Sequence, residues 1–171
     1  MTPEDVLAIP PSVLTDKQRQ FYFENGYLLL ERVISDSWIE PLRAATSEMI
    51  DESRRITESD QKWDLEDGHS EDDPRLRRLS SPNDHHITFW EYASQSIVPD
   101  IVADLVGPNV KFHHSKLNFK WAKGGEEVKW HQDIPFYPHT NYAVLSLSTF
   151  LEDIGPNQGP VRMVRGSHRK Q

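Results

Sequence analysis

The feature that most constrains the fold is a change of hydrophobic period at Gly107-Pro108. Ahead of it, apolar residues recur every three or four positions, as one face of a helix requires; behind it, they alternate as strand faces do. Thr15-Asp16-Lys17-Gln18 has the form of a capping box, Phe21, Tyr22 and Phe23 supply an apolar face, and Asn25-Gly26 ends that helix. A second helix starts at Ser35, with Trp38, Ile39, Leu42, Ala45, Met49 and Ile50 forming a stripe that packs on a sheet. A third spans 96–106, with Pro99 in its first turn and Gly107-Pro108 as its stop. Residues 27–30 read as a first buried strand. In 110–122, His113, Ser115, Leu117, Phe119 and Trp121 share one face, and His114, Lys116, Asn118 and Lys120 share the other. That polar face points to solvent on an ordinary sheet, or inward in a barrel with a polar active site. Segments 128–133, 142–151 and 160–164 are further strand candidates, separated by turns rich in Gly and Pro. Helices first and strands afterwards predict an α+β or mostly β fold, not alternating βαβ units.

Composition narrows the chemistry. At 171 residues the chain is expected to form one domain, 1–171, with a helical part of about 1–108 and a β part of about 109–171. There are 27 acidic against 19 basic residues, a net charge of -8, which argues against a phosphate-binding surface and so against a nucleic-acid partner. With no cysteine, disulfides, thiolate metal sites and cysteine nucleophiles are all excluded, and any metal must be held by His, Asp or Glu. The first eleven residues carry Glu4 and Asp5 and lack the pattern of a secretory signal, and no apolar run approaches the roughly 20 residues of a membrane span. A cytoplasmic protein with no membrane partner is expected. Residues 56–84 form a long acidic loop, with Asp64, Glu66, Asp67, Glu71, Asp72 and Asp73 around Gly68 and Pro74. Such a stretch is a lid, a binding loop or a disordered connection, and it lacks the ordered spacing of a calcium loop.

The candidate chemistry centres on His131-Gln132-Asp133. On a strand, i and i+2 leave the same face, so an imidazole and a carboxylate would enter one pocket together. They are two of the three ligands of a facial triad, in which two His and one carboxylate hold Fe(II) and leave the opposite positions open. By itself the triplet also reads as a surface turn or a hydrogen-bonded pair. Lys120 reads either as a snorkelling surface lysine or as a cation for a bound carboxylate, with Asn118 beside it on the same face. His114 shares that face, and a lone histidine is commonly structural. Phe136 and Tyr137 follow the aspartate and are either core aromatics or walls of a substrate pocket. On the strand 142–151, Ser146 and Ser148 face one way.

Several short motifs occur in one order: an N-terminal helix ending Asn25-Gly26-Tyr27, then Lys116-Leu117-Asn118-Phe119-Lys120, His131-Gln132-Asp133, Asn157-Gln158-Gly159-Pro160 and Gly166-Ser167-His168. Together they resemble the phytanoyl-CoA dioxygenase family of Fe(II)/2-oxoglutarate oxygenases. The resemblance implies a double-stranded β-helix, a jelly roll related to the cupins, whose two sheets enclose the iron. It implies His131 and Asp133 as catalytic metal ligands, Lys120, Asn118 and Ser148 at the 2-oxoglutarate site, and His114, Phe136 and Tyr137 near substrate. The implied cofactors are Fe(II), 2-oxoglutarate and O2. The implied reaction is hydroxylation of a small-molecule metabolite, with 2-oxoglutarate decarboxylated to succinate and CO2.

In that family the second histidine ligand and an arginine for the far carboxylate of 2-oxoglutarate follow the Gly-Ser-His motif. The last histidine here is His168, which matches the motif's own histidine and not the ligand. Five or six strand candidates fall short of the eight of a jelly roll, so the resemblance implies an incomplete β-helix, either part of a longer protein or a degenerate, non-catalytic member. Two other readings stand beside the oxygenase: a cupin-like protein binding an organic anion through Lys120 without turnover, and an interaction domain using the acidic loop.

Overall fold

The computed structural model describes residues 1–122, 124–125, 127–136 and 143–170. Six α-helices are described: α1 (Pro3–Leu7), α2 (Asp16–Asn25), α3 (Asp36–Ser53), α4 (Pro82–His85), α5 (Ile87–Gln95) and α6 (Val98–Val106). Three strands are described, β1 (Trp63–Leu65), β2 (Leu76–Ser80) and β3 (Lys116–Asn118), forming one antiparallel sheet in that order.

Helix α2 forms where its caps dictate. Thr15 accepts from the Gln18 N–H while the Gln18 side chain accepts from the Thr15 N–H, and Gly26 closes the helix in the left-handed region at φ 81°. The stripe on α3 buries Leu42, Ala45 and Met49 against the sheet. Register brings Trp63, Leu79 and Leu117 side by side across the three strands, so one row of apolar side chains faces α3. Leu76 and Phe89 complete this core. The opposite row holds Asp64, Arg78 and Asn118, with Arg78 Nη2 donating to Asp64 Oδ2 at 3.0 Å.

The acidic stretch 56–84 contains β1, β2 and the start of α4. Asp67, Glu71, Asp72 and Asp73 are exposed and Glu66 is buried, while Trp63, Leu76 and Leu79, separated along the chain by polar residues, supply the apolar buried side. His69 ties this hairpin to α3: its Nδ1 accepts from the Arg75 N–H at 2.9 Å and its Nε2 donates to the Ser53 carbonyl at 3.0 Å.

A second core joins Leu14, Ile101 and Leu105, with Tyr22, Leu28, Leu30 and Leu145 packed around it. Its polar seam is Asp104, whose carboxylate accepts the N–H groups of Ser12, Val13 and Leu14 at 2.8, 2.9 and 2.8 Å. Buried Arg19 donates to the Asp104 carbonyl at 3.0 Å and to the Val6 carbonyl, which ties α1, α2 and α6 together. Burial works to raise the Asp104 carboxyl, but the three N–H donors and the Arg19 charge outweigh it and hold the group below the ordinary carboxylate range.

Several expected strands take another form. Residues 27–30 form no strand; Leu28 and Leu30 pack inward and Leu29 is 69% exposed. Within 110–122 only Lys116–Asn118 has ladder partners, and the alternation holds from Ser115 onward: Ser115, Leu117, Phe119 and Trp121 are partly buried, and Lys116, Asn118 and Lys120 are exposed, whereas His113, expected on the first face, is exposed like His114. The described parts of 128–133, 142–151 and 160–164 run without strand pairing. The described residues thus form helices over a small antiparallel sheet, and the apolar side chains of Val128, Trp130, Val161 and Met163 lie exposed. A strand needs a neighbouring strand for its row of N–H and C=O groups, and these segments form no ladder among the described residues.

Candidate functional site

His131 and Asp133 converge. The His131 Nδ1–H donates to the Lys129 carbonyl at 2.7 Å, a bond whose direction is fixed because a carbonyl only accepts. This turns Nε2 toward Asp133, with Nε2 and Oδ1 3.3 Å apart. Asp133 Oδ2 is held in turn by the Ser146 hydroxyl at 2.7 Å. Each side chain is therefore oriented by one hydrogen bond on the atom that faces away from the pair. The chain bends at Asp133 into a 3-10 segment, Ile134–Phe136, whose Phe136 ring meets His131 edge-on with centroids 5.9 Å apart.

The donor set fits a cation. A neutral imidazole that donates through Nδ1 presents a lone pair at Nε2, and Oδ1 presents lone pairs toward it. Two acceptors 3.3 Å apart repel unless a proton or a metal ion stands between them. Metal bonds of about 2.1 Å at right angles place neighbouring donors about 3 Å apart, close to the observed separation. Among the described residues no group of three or more His, Asp or Glu side chains converges, so His131 and Asp133 make a two-donor half-site.

The other site candidates lie around this pair to different degrees. His114 is close enough to feel Asp133: partial desolvation and the charges of His113 and Lys116 lower its basicity, and the Asp133 charge opposes them. Its ring also contacts His113 edge-on at 4.8 Å. Asn118 is exposed on β3, opposite Arg78. Lys120 is exposed, and its aliphatic stem runs between two glycine turns: a side chain at Gly125 would meet Lys120 Cδ at 3.6 Å, and one at Gly159 would meet it at 3.8 Å. The buried carboxylate of Glu66, from the acidic stretch, accepts the Gly125 N–H at 3.2 Å and so helps fix one of these turns. Ser148 is exposed, two residues beyond the serine that bonds Asp133. Tyr137 lies outside the described residues.

Two contributors were not singled out by the motif pattern. Ser146 shares a face with Ser148, and that i, i+2 relation is the one signal in the sequence that could have pointed to it. The other is Gln132, the spacer of the triplet, which faces away from the pair and donates to the carbonyls of Ser167 and Lys170, both at 2.8 Å. Those carbonyls belong to the first residue of the 3-10 turn Ser167–Arg169 and to Lys170, which caps it, and the turn docks on the end of α2. His168 Nε2 bonds the Phe23 carbonyl at 3.1 Å, the Gly166 N–H donates to the Asn25 carbonyl at 2.9 Å, and Arg165 donates to the Asn25 side chain. The Gly-Ser-His motif is thus a clasp between the back of the half-site and the N-terminal helix, and its histidine is engaged with a helix carbonyl.

Comparison with known proteins places the sequence in a family. The sequence model described as phytanoyl-CoA dioxygenase (PhyH) matches residues 22–171. A probable alpha-ketoglutarate-dependent hypophosphite dioxygenase of Stutzerimonas stutzeri is 27% identical over 153 residues, 90% of this chain and 53% of that protein. An ectoine dioxygenase of Sphingopyxis alaskensis is 25% identical, covering 91% of this chain and 50% of its own length. The peroxisomal phytanoyl-CoA dioxygenase of Homo sapiens is 24% identical, covering 92% and 48%. The chain spans about half the length of the curated relatives it matches. With the match running from α2 through the His131/Asp133 pair to the clasp, the chain belongs to the phytanoyl-CoA dioxygenase family.

Proposed function

We propose that this chain supplies the His131 and Asp133 ligands of an Fe(II)- and 2-oxoglutarate-dependent dioxygenase that hydroxylates a small molecule and releases succinate and CO2. The observation that carries the reading is the facing pair, Nε2 and Oδ1 3.3 Å apart, with each group oriented from behind by Lys129 and Ser146. Such outer bonds are typical of metal ligands, since they fix the tautomer of a histidine and the direction of a carboxylate. The names of the relatives support 2-oxoglutarate as co-substrate and small molecules as substrates.

Fe(II), when bound, supplies O2 activation and the oxidation of the keto acid. The chain's part is to hold and orient. Lys120 would pair with a carboxylate of 2-oxoglutarate, with Asn118 and Ser148 offering hydrogen bonds nearby. His114 and Phe136, with Tyr137, would border the substrate. In this reading residues 1–171 belong to one oxygenase domain, and 109–171 contribute strands to a jelly roll that a further ligand-bearing segment completes. Pairing with such strands would cover the exposed apolar side chains of 128–164.

The test uses the full reading frame that encodes this chain. Anaerobic addition of Fe(II) and 2-oxoglutarate should give a visible charge-transfer band, and air should give succinate. Both should vanish in His131→Ala and in Asp133→Ala. A protein that gives neither signal, across a broad substrate screen and in uncoupled turnover, is not an oxygenase of this kind.

A further inference from the structure

We propose that Ser146 is a positioning residue for the metal half-site: it fixes which oxygen of Asp133 faces the cation. This rests on the reading of His131 and Asp133 as metal ligands. A carboxylate is two-fold symmetric about its last torsion, so an unheld Asp133 has two equivalent oxygens and a broad choice of direction. It also has another partner within electrostatic reach, the imidazole of His114. The Ser146 hydroxyl has one proton to give, and it gives it to Oδ2 at 2.7 Å. That leaves Oδ1 as the oxygen toward His131 Nε2. The result is a carboxylate committed to one-oxygen ligation, with the neighbouring coordination positions left open for co-substrate.

The placement of Ser146 does not depend on the half-site. Its segment is anchored at several points on the helical half: Leu145 packs against the Leu14, Ile101 and Leu105 core, the Tyr92 hydroxyl on α5 bonds Thr149 Oγ1 at 2.5 Å, and Arg43 Nε on α3 donates to the Leu151 carbonyl at 2.6 Å. Helix packing therefore sets the position of the hydroxyl, and the hydroxyl sets the carboxylate.

The test is a titration with Mn(II), followed by electron paramagnetic resonance, on the protein from the full reading frame. Ser146→Ala and Ser146→Val lack the donor, whereas Ser146→Thr keeps it. Loss of an outer-shell partner weakens metal binding by about 10- to 100-fold, so Ala and Val should fall in that range and Thr should stay within about twofold of wild type. Because Val and Thr have the same shape, a purely steric role would move them together. If Ala and Val bind Mn(II) as wild type does, while His131→Ala loses it, the positioning role is refuted and the metal site stands. If Val and Thr weaken binding equally, Ser146 acts through packing and the proposal fails. If wild type and His131→Ala both fail to bind, the metal-site reading itself is wrong.

Discussion

Gly26→Ala tests whether the Gly-Ser-His turn is a clasp on α2, and its cost can be worked from local geometry. Gly26 ends α2 at φ 81°, a conformation in which a side chain costs about 1 kcal/mol. The added methyl would also lie 2.6 Å from His168 Cγ, and nearer still to Nδ1. The imidazole must move, and its bond to the Phe23 carbonyl goes with it, a further loss of about 0.5–1.5 kcal/mol. The sum is about 1.5–2.5 kcal/mol of unfolding free energy. In a His168→Ala background the obstruction is gone, and only the backbone term of about 1 kcal/mol remains. A double-mutant cycle by urea denaturation, read from the midpoint at constant m-value, should therefore give a coupling of about 0.5–1.5 kcal/mol. Equal costs of Gly26→Ala in the two backgrounds would refute the contact. A cost below about 0.5 kcal/mol in wild type would refute the left-handed cap as well.

Asp104→Asn removes a charge from three N–H donors and should destabilise by about 2–4 kcal/mol near neutral pH. Because the folded-state pKa of Asp104 is lowered, its contribution is complete above the unfolded value, near pH 4, and is lost as pH falls through the folded value. Acid titration of stability should show a shallower loss in the variant, and parallel acid limbs would contradict the assignment. Leu79→Ala, at a fully buried position, should cost about 2–5 kcal/mol, whereas Leu29→Ala, at one 69% exposed, should stay within about 0.5 kcal/mol. Thermal melts of the two variants distinguish this arrangement from one in which 27–30 is a buried strand.

How far the sequence could be read depended on how local the deciding interaction was. Thr15 and Gln18 cap each other across three residues, and Gly26 supplies its own left-handed turn, so the ends of α2 were visible in the chain. Gly107 ends α6 in a different conformation, at φ 99° and ψ 168°, whose positive φ likewise favours glycine. The α3 stripe needed only helical spacing, and the alternation at 115–121 only strand spacing, to assign inner and outer faces. The β1–β2 hairpin escaped notice because its burial rests on Trp63, Leu76 and Leu79 amid charges, and these become a surface only when α3 covers them. Helix α5 was missed for a related reason: its cap is His86, whose Nδ1 accepts from the Thr88 N–H at 3.3 Å, an uncommon cap residue.

For the site, the one-residue spacing of His131 and Asp133 and its resemblance to a family motif were sequence information in full. The family match over residues 22–171 rests on the same letters. What the tertiary structure decided is the orientation of the pair. Lys129, Ser146 and Gln132 make bonds whose partners are chosen by the fold, and in two cases lie 13 to 38 residues away. Local propensities and spacing are written into neighbouring residues, and so survive in a linear reading. The direction of a carboxylate depends on which distant hydroxyl arrives beside it, and only packing between helices and the later segments determines that.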